Sequence, residues 1–152
     1  QMGELIAALT QVKDALSILT PPEIKGRKDM SQYEIAKAMG GVKNITWLDS
    51  KYVAIPKAEF QKIIDWDWTD NKTYIAEKYD CENFSFSFKA RVDRRFYINT
   101  VGLVIDYEAG HAYNVIIFAN GSMKIFEPQS DGWPKIGSKL YKFNRETVEV
   151  II

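Results

Sequence analysis

Apolar residues near the N-terminus recur at three- and four-residue intervals: Leu5, Leu9, Val12, Leu16 and Leu19. That spacing lays one stripe along a helix from Glu4 to Leu19, which Pro21 and Pro22 end. Pro21 to Met30 is polar and reads as a loop. Ser31 followed by Glu34 has capping-box spacing and opens a short helix, Gln32 to Met39, closed by Gly40-Gly41. The short apolar runs Ile45 to Leu48 and Tyr52 to Ile55 read as strands. Pro56 stands where a helix can start, and Phe60, Ile63 and Ile64 give that helix a buried face.

Cys81 to Arg94 satisfies two patterns. Phe84, Phe86 and Phe88 alternate with Ser85 and Ser87, which is strand period, whereas Phe84, Phe88, Arg91, Val92 and Arg95 share a helix face. The helix is preferred, because Asp80 is a good N-cap and the segment exceeds the usual strand length. Beyond it the pattern is β. Thr100 to Tyr107 is apolar and β-branched, Glu108-Ala109-Gly110 turns, and His111 to Ala119 is a second strand. Asn120-Gly121 signals a two-residue hairpin, and Ser122 to Phe126 returns. Gln129 to Gly137 reads as loop, and Lys139 to Phe143 and Thr147 to Ile152 as two last strands. Helices followed by strands predict an α+β fold, with N-terminal helices packed on a C-terminal antiparallel sheet of about residues 100–152. The central helix spans about residues 81–94, and residues 1–152 form one domain.

Composition narrows the function. Of 152 residues 46% are hydrophobic, enough for a core and against disorder. Twenty basic residues balance twenty acidic ones, which gives no broad electrostatic grip on nucleic acid or an anionic membrane. The basic run Lys89, Arg91, Arg94 and Arg95 reads as a solvated helix face. No apolar stretch approaches the roughly 20 residues that span a bilayer, and Gln1-Met2-Gly3-Glu4 lacks the basic start of a signal peptide. One cysteine forms no internal disulfide, and one cysteine with one histidine cannot build a structural zinc site. Trp66-Asp67-Trp68 reads as a packing corner, with Asp65 and Asp70 making the loop acidic.

The lone thiol and the lone imidazole carry the candidate chemistry. Cys81 falls at the first turn of the helix capped by Asp80, where free N–H groups and the helix dipole favour thiolate. Asp80 and Glu82 push the other way, so an imidazolium is needed nearby. His111 begins a strand after Gly110. A third group should fix its tautomer. If the turn is Asn120-Gly121, residues whose numbers sum to 241 face each other, so His111 opposes Ser130 and Glu127 opposes Asn114. In that register Glu127 needs a twist or bulge to reach the ring. Asp131 is the rival orienter and Asn114 a weaker third choice.

These residues carry a resemblance. Tyr79-Asp80-Cys81-Glu82-Asn83-Phe84 resembles the D-C-[DE]-[DN]-[FY] segment at the nucleophile of transglutaminase-like and papain-like cysteine peptidases. Gly110-His111-Ala112 resembles their G-H-A strand, and Phe126-Glu127-Pro128-Gln129 the acidic segment that follows. Within that group the chain is most similar to the papain-like C-terminal domain of fungal chimeric agglutinins and to small bacterial and phage relatives. The resemblance spans roughly Tyr74 to Trp133. It implies a papain-like fold and a cysteine hydrolase acting on a polypeptide substrate, with Cys81 as nucleophile, His111 as base and Glu127 as orienting acid. The alternative is a binding or assembly module without turnover. No cofactor is implied as required. The fungal domain depends on calcium, so an oxygen-ligand calcium site drawing on Asp80, Glu82 or Gln129 is conceivable. One departure stands out: the glutamine that such enzymes place about six residues before the cysteine is replaced by Ile75.

Overall fold

A computed structural model describes residues 2–152, with the side chains of residues 13–19 outside the description. Twelve elements follow one another: α1 (Met2–Leu19), β1 (Lys28–Ser31), α2 (Gln32–Ala38), β2 (Asn44–Thr46), β3 (Lys51–Ala54), α3 (Lys57–Trp66), a 3-10 turn (Thr69–Asn71), α4 (Cys81–Phe96), β4 (Val101–Asp106), β5 (His111–Ile117), β6 (Met123–Phe126) and β7 (Glu149–Ile151). In α1, Met2, Leu5, Leu9 and Val12 are exposed. The continuation of that stripe at Leu16 and Leu19 falls on side chains outside the description.

Local signals formed the helices. Ser31 and Glu34 make the capping box, with the Glu34 N–H donating to Ser31 Oγ (3.2 Å) and the Ser31 N–H to Glu34 Oε2 (2.8 Å). Asp80 is the N-cap of α4, where its N–H donates to Asn83 Oδ1 (3.1 Å). The contested phenylalanines settle on the helix, which runs to Phe96 rather than Arg94: Phe84, Phe88, Val92 and Phe96 are buried at four-residue steps, while Phe86 is exposed. Full burial of a ring such as Phe88 contributes about 2–3 kcal/mol of transfer free energy. The basic run is not uniformly solvated. Lys89 is buried and donates to Val101 O (2.8 Å) and Asp93 (3.0 Å), tying α4 to β4.

The main sheet has five strands in the order β2-β7-β4-β5-β6. It is not the purely antiparallel C-terminal sheet expected, because β2 joins from the N-terminal half and runs parallel to β7, with Ile45 opposite Val150. A small antiparallel ribbon pairs β1 with β3; its first strand lies in the segment expected to be loop, where Met30 alone is buried. The expected strand Lys139 to Phe143 is absent. Phe143 takes a left-handed φ of 45°, and its N–H donates to the buried Asp106 Oδ2 (2.9 Å) instead of to a ladder. The last strand shrinks to Glu149–Ile151.

Both faces of the sheet are covered, so β5 is buried along nearly its whole length. On one face Val104, Tyr113, Val115, Ile117 and Val150 pack with Ile35 and Met39 of α2. On the other Val101, Ile116 and Phe126 pack with Phe60, Ile63 and Ile64 of α3 and with Phe88, Val92 and Phe96 of α4. The period-2 alternation along β5 thus feeds two cores at once. Gly102 in β4 lies where the neighbouring strands crowd: a Cβ there would lie 2.8 Å from Val115 and 3.1 Å from Val150.

The hairpin turn differs from the two-residue form expected. Phe118 N–H donates to Ser122 O and Gly121 N–H to Phe118 O, both at 2.9 Å, so Ala119, Asn120 and Gly121 form a three-residue loop, with Gly121 at φ +79°. The register therefore shifts by one residue: Asn114 faces Phe126 and Ile117 faces Met123. A shift of one reverses which face a side chain occupies, and the site depends on it.

Candidate functional site: a thiol and an imidazole across one cleft

A cleft of about 450 Å³ opens between the N-terminal turn of α4 and the start of β5. Cys81 and Glu82 line one side, and Asp106, Tyr107, Gly110, His111 and Ala112 the other. The β4–β5 hairpin brings His111 to its mouth, with Asp106 directly opposite His111. The turn closes at Gly110, whose φ of +61° and open surroundings suit glycine.

Glu127 reaches the imidazole. His111 Nε2 donates to Glu127 Oε2 at 2.7 Å, and since an ionised carboxylate only accepts, Nε2 carries the proton. The corrected register explains the contact. Projected past the paired residues, it sets Glu127 two places from the residue opposite His111, a diagonal neighbour on the same face. In the expected register Glu127 would have pointed to the other face. Burial pushes the Glu127 carboxyl up, but hydrogen bonds from His111, the Gln129 N–H and Tyr141 outweigh that and leave it below the usual carboxylate range. Tyr141 donates to the same Oε2 at 2.7 Å, and the Gln129 N–H to Oε1 at 3.0 Å.

The rival orienters have other work. Asn114 is fully buried and donates to Ser85 O (3.0 Å) and Gly102 O (3.1 Å), which ties α4 to the sheet. Asp131 sits at a left-handed φ of 53°, and burial together with the charges of Asp70, Asp67 and Asp65 pushes its carboxyl up to about 7. Asp67 itself is buried and pairs with Arg91 Nε at 2.7 Å. The tryptophan turn is half packing corner: Trp66 packs edge-on against Phe96, whereas Trp68 is exposed.

At the thiol the opposing influences named from the sequence are joined by burial. The helix N-terminus does not lower the Cys81 pKa; burial pushes it up. The Ala112 N–H, aimed at the sulfur, favours thiolate, but the hydrogen bond and charge of Glu82 and the charge of Asp80 add to the upward push. The thiol donates to Glu82 Oε2 at 3.4 Å. Burial, with the two acidic neighbours adding to it, thus sets the thiol toward its protonated form despite its place in the first turn of the helix.

Of the residues named for calcium, Asp80 and Glu82 stand together at the start of α4. The neighbouring Glu82 carboxylate pushes the Asp80 carboxyl up, and Glu82 also accepts from the thiol. Among the described residues no group of three or more His, Cys, Asp or Glu side chains is placed to hold a metal ion.

Residues 23–136 match the family model of the ricin-type beta-trefoil lectin C-terminal domain. The chain belongs to that family. No curated protein matches it in sequence. Among solved structures it is similar to the "PSL1a-E64 complex", at 15% identity and a TM-score of 0.62, covering 82% of this chain and 51% of that one. It is equally similar to the lectin of Polyporus squamosus bound to the human-type influenza-binding epitope Neu5Acα2-6Galβ1-4GlcNAc, at 14% identity and a TM-score of 0.63, covering 82% and 49%. The chain thus spans about half the length of these structures, and the family name sets such a domain at a lectin's C-terminus.

These findings correct the resemblance. The lectin C-terminal family takes the place of the papain-like and transglutaminase-like cysteine peptidases, and the fold is the one shared with these lectin chains rather than a papain-like one. The labels of hydrolase and thiol protease fall with that assignment, as does the polypeptide substrate, which rested on nothing else. The physical reason is the reach of the signal. The peptidase resemblance hung on three short segments, whereas the family match extends over residues 23–136. Tyr141 and the Ala112 N–H were missed altogether, since nothing in sequence ties a tyrosine thirty positions on to His111. No helix among the described residues is long and apolar enough to cross a membrane.

Proposed function

We propose that this domain is a binding module of a lectin-type protein, with carbohydrate as its ligand class and the α4–β5 cleft as its contact surface. The family match over residues 23–136 carries the reading. The cleft suits it: His111, Glu82 and Tyr107 offer hydrogen bonds and an exposed ring beside the open surface at Gly110. The thiol, held protonated against Glu82, does not conflict with binding. Titration with Neu5Acα2-6Galβ1-4GlcNAc and with Galβ1-4GlcNAc, followed by NMR, tests it. Saturable shifts at Gly110, His111 and Ala112, retained in Cys81→Ala, are the expected result. Unmoved cleft resonances at millimolar sugar would overturn it.

A second reading is favoured by one observation, the meeting of Cys81 and His111 at one cleft with Glu127 on the far ring nitrogen. In it His111 takes the Cys81 proton, and the thiolate attacks an acyl carbon to form a thioester. The leaving group departs with the proton returned by His111, water or a second nucleophile then takes the acyl group and frees the thiol, and Glu127 orients the ring and steadies the imidazolium. Iodoacetamide labelling separates the readings. A thiol that reacts faster than free cysteine at neutral pH, and slows in His111→Ala, supports this one; a slow thiol indifferent to that substitution removes it.

A further inference from the structure

Glu127 Oε2 accepts two hydrogen bonds of equal length, 2.7 Å from His111 Nε2 and 2.7 Å from the Tyr141 hydroxyl. The Tyr141 ring also stands edge-on to the imidazole, with centroids 5.3 Å apart. Tyr113 closes the other side, 5.8 Å from the imidazole and 5.1 Å from Tyr141. Tyr113 is itself pinned, its hydroxyl donating to the buried Asp106 Oδ2 at 2.7 Å. That same carboxylate oxygen takes the Phe143 N–H, so one buried aspartate anchors both the tyrosine and the segment that carries Tyr141.

We propose that Tyr141 is a positioning residue for the His111–Glu127 pair, its hydroxyl holding the carboxylate in place and drawing off part of the charge that the imidazole feels. The inference takes its functional meaning from the thiol reading of the cleft. Two donors on one oxygen share its electron density. Each therefore makes the carboxylate a weaker partner for the other. The phenol competes with the imidazole without titrating near neutral pH, because burial and the Glu127 carboxylate push its own pKa upward. Nε2–H stays committed to Glu127, and Nδ1 is the ring nitrogen left for the cleft. The other titratable or charged groups around His111 are Tyr113 on its own strand, Asp106 and Tyr107 beside it, and Cys81 and Glu82 on α4 across the cleft. None of these donates to Oε2 among the described hydrogen bonds.

The chain has one histidine, so its ring nitrogens can be followed by NMR without assignment ambiguity. Tyr141→Phe keeps the ring and removes the donor. The His111 pKa should rise by about half a unit or more, as Oε2 turns its full charge on the imidazolium. Site-specific 3-fluorotyrosine at position 141 keeps the fold and strengthens the donor, and should lower that pKa. In a Glu127→Gln background both effects should vanish, since there is no shared charge to divide. A His111 pKa that moves by less than about 0.2 units in Tyr141→Phe, or that moves equally in the Glu127→Gln background, would overturn the proposal. The pH profile of Cys81 alkylation is a separate readout. Should it ignore His111→Ala, the thiol reading fails while the coupling of Tyr141 to the pair is still measured by NMR.

Discussion

Asn114 is a small residue with a large structural task, and its replacement by alanine makes that task measurable. Its side chain is fully buried, and its amide donates to Ser85 O in α4 and to Gly102 O in β4. Alanine removes both bonds and, with them, the buried Oδ1 that has no partner, which offsets part of the loss. At about 1 kcal/mol net for each bond, with a further contribution of about 1 kcal/mol from the small void, the loss comes to about 2–3 kcal/mol. For a chain of this size that lowers Tm by roughly 5–10 °C. Calorimetry and urea unfolding at pH 7 should agree, with the denaturant slope unchanged because the native fold persists. Ser85 belongs to the first turns of α4, where its hydroxyl donates to Cys81 O at 2.8 Å. Loosening that end should therefore also speed alkylation of Cys81. A stability loss under about 0.5 kcal/mol would refute the idea that Asn114 fastens the helix to the sheet.

Other substitutions probe the same structure. Gly102→Ala forces a methyl against Val115 and Val150 and should cost about 1–3 kcal/mol in urea unfolding; a neutral result would mean the strands part freely. Glu82→Gln removes a charge and weakens an acceptor that hold Cys81 protonated, so alkylation at pH 7 should quicken roughly threefold, and an unchanged rate would show that burial alone sets the thiol. Asp131 binds its proton up to about pH 7 in the folded chain, whereas the unfolded chain releases it near 3.9. Stability from this group is full at low pH and is lost as pH climbs through that window. Asp131→Asn should match the parent at pH 4 and exceed it by about 1 kcal/mol at pH 8, after allowance for solvent screening; a gap that fails to open with pH would refute the crowding of Asp65, Asp67 and Asp70.

Much of the secondary structure was legible because its causes are local. Four-residue steps of Phe84, Phe88, Val92 and Phe96, the cap at Asp80 and the box of Ser31 and Glu34 act within one or two turns of chain. Of the residues singled out by order and flanking sequence, His111 and Glu127 share a hydrogen bond and Cys81 lines the same cleft as His111. The upward push of Asp80 and Glu82 on the thiol was legible, but burial, the largest cause, depends on solvent exclusion that no linear spacing reports. The family assignment went astray because short motifs around reactive residues say little about the chain that presents them.

By itself, then, the amino-acid order determined where helices begin, which of their faces are apolar, and which two residues hold the soft chemistry. The folded chain decided the rest: the parallel union of β2 with β7, the one-residue change of register that turns Glu127 toward His111, and the arrival of Tyr141 on the same carboxylate oxygen. These are contacts between segments far apart in sequence. Their geometry is fixed only when two sheet faces and their covering helices are packed together, because side-chain position in a strand depends on its partners rather than on its neighbours along the chain.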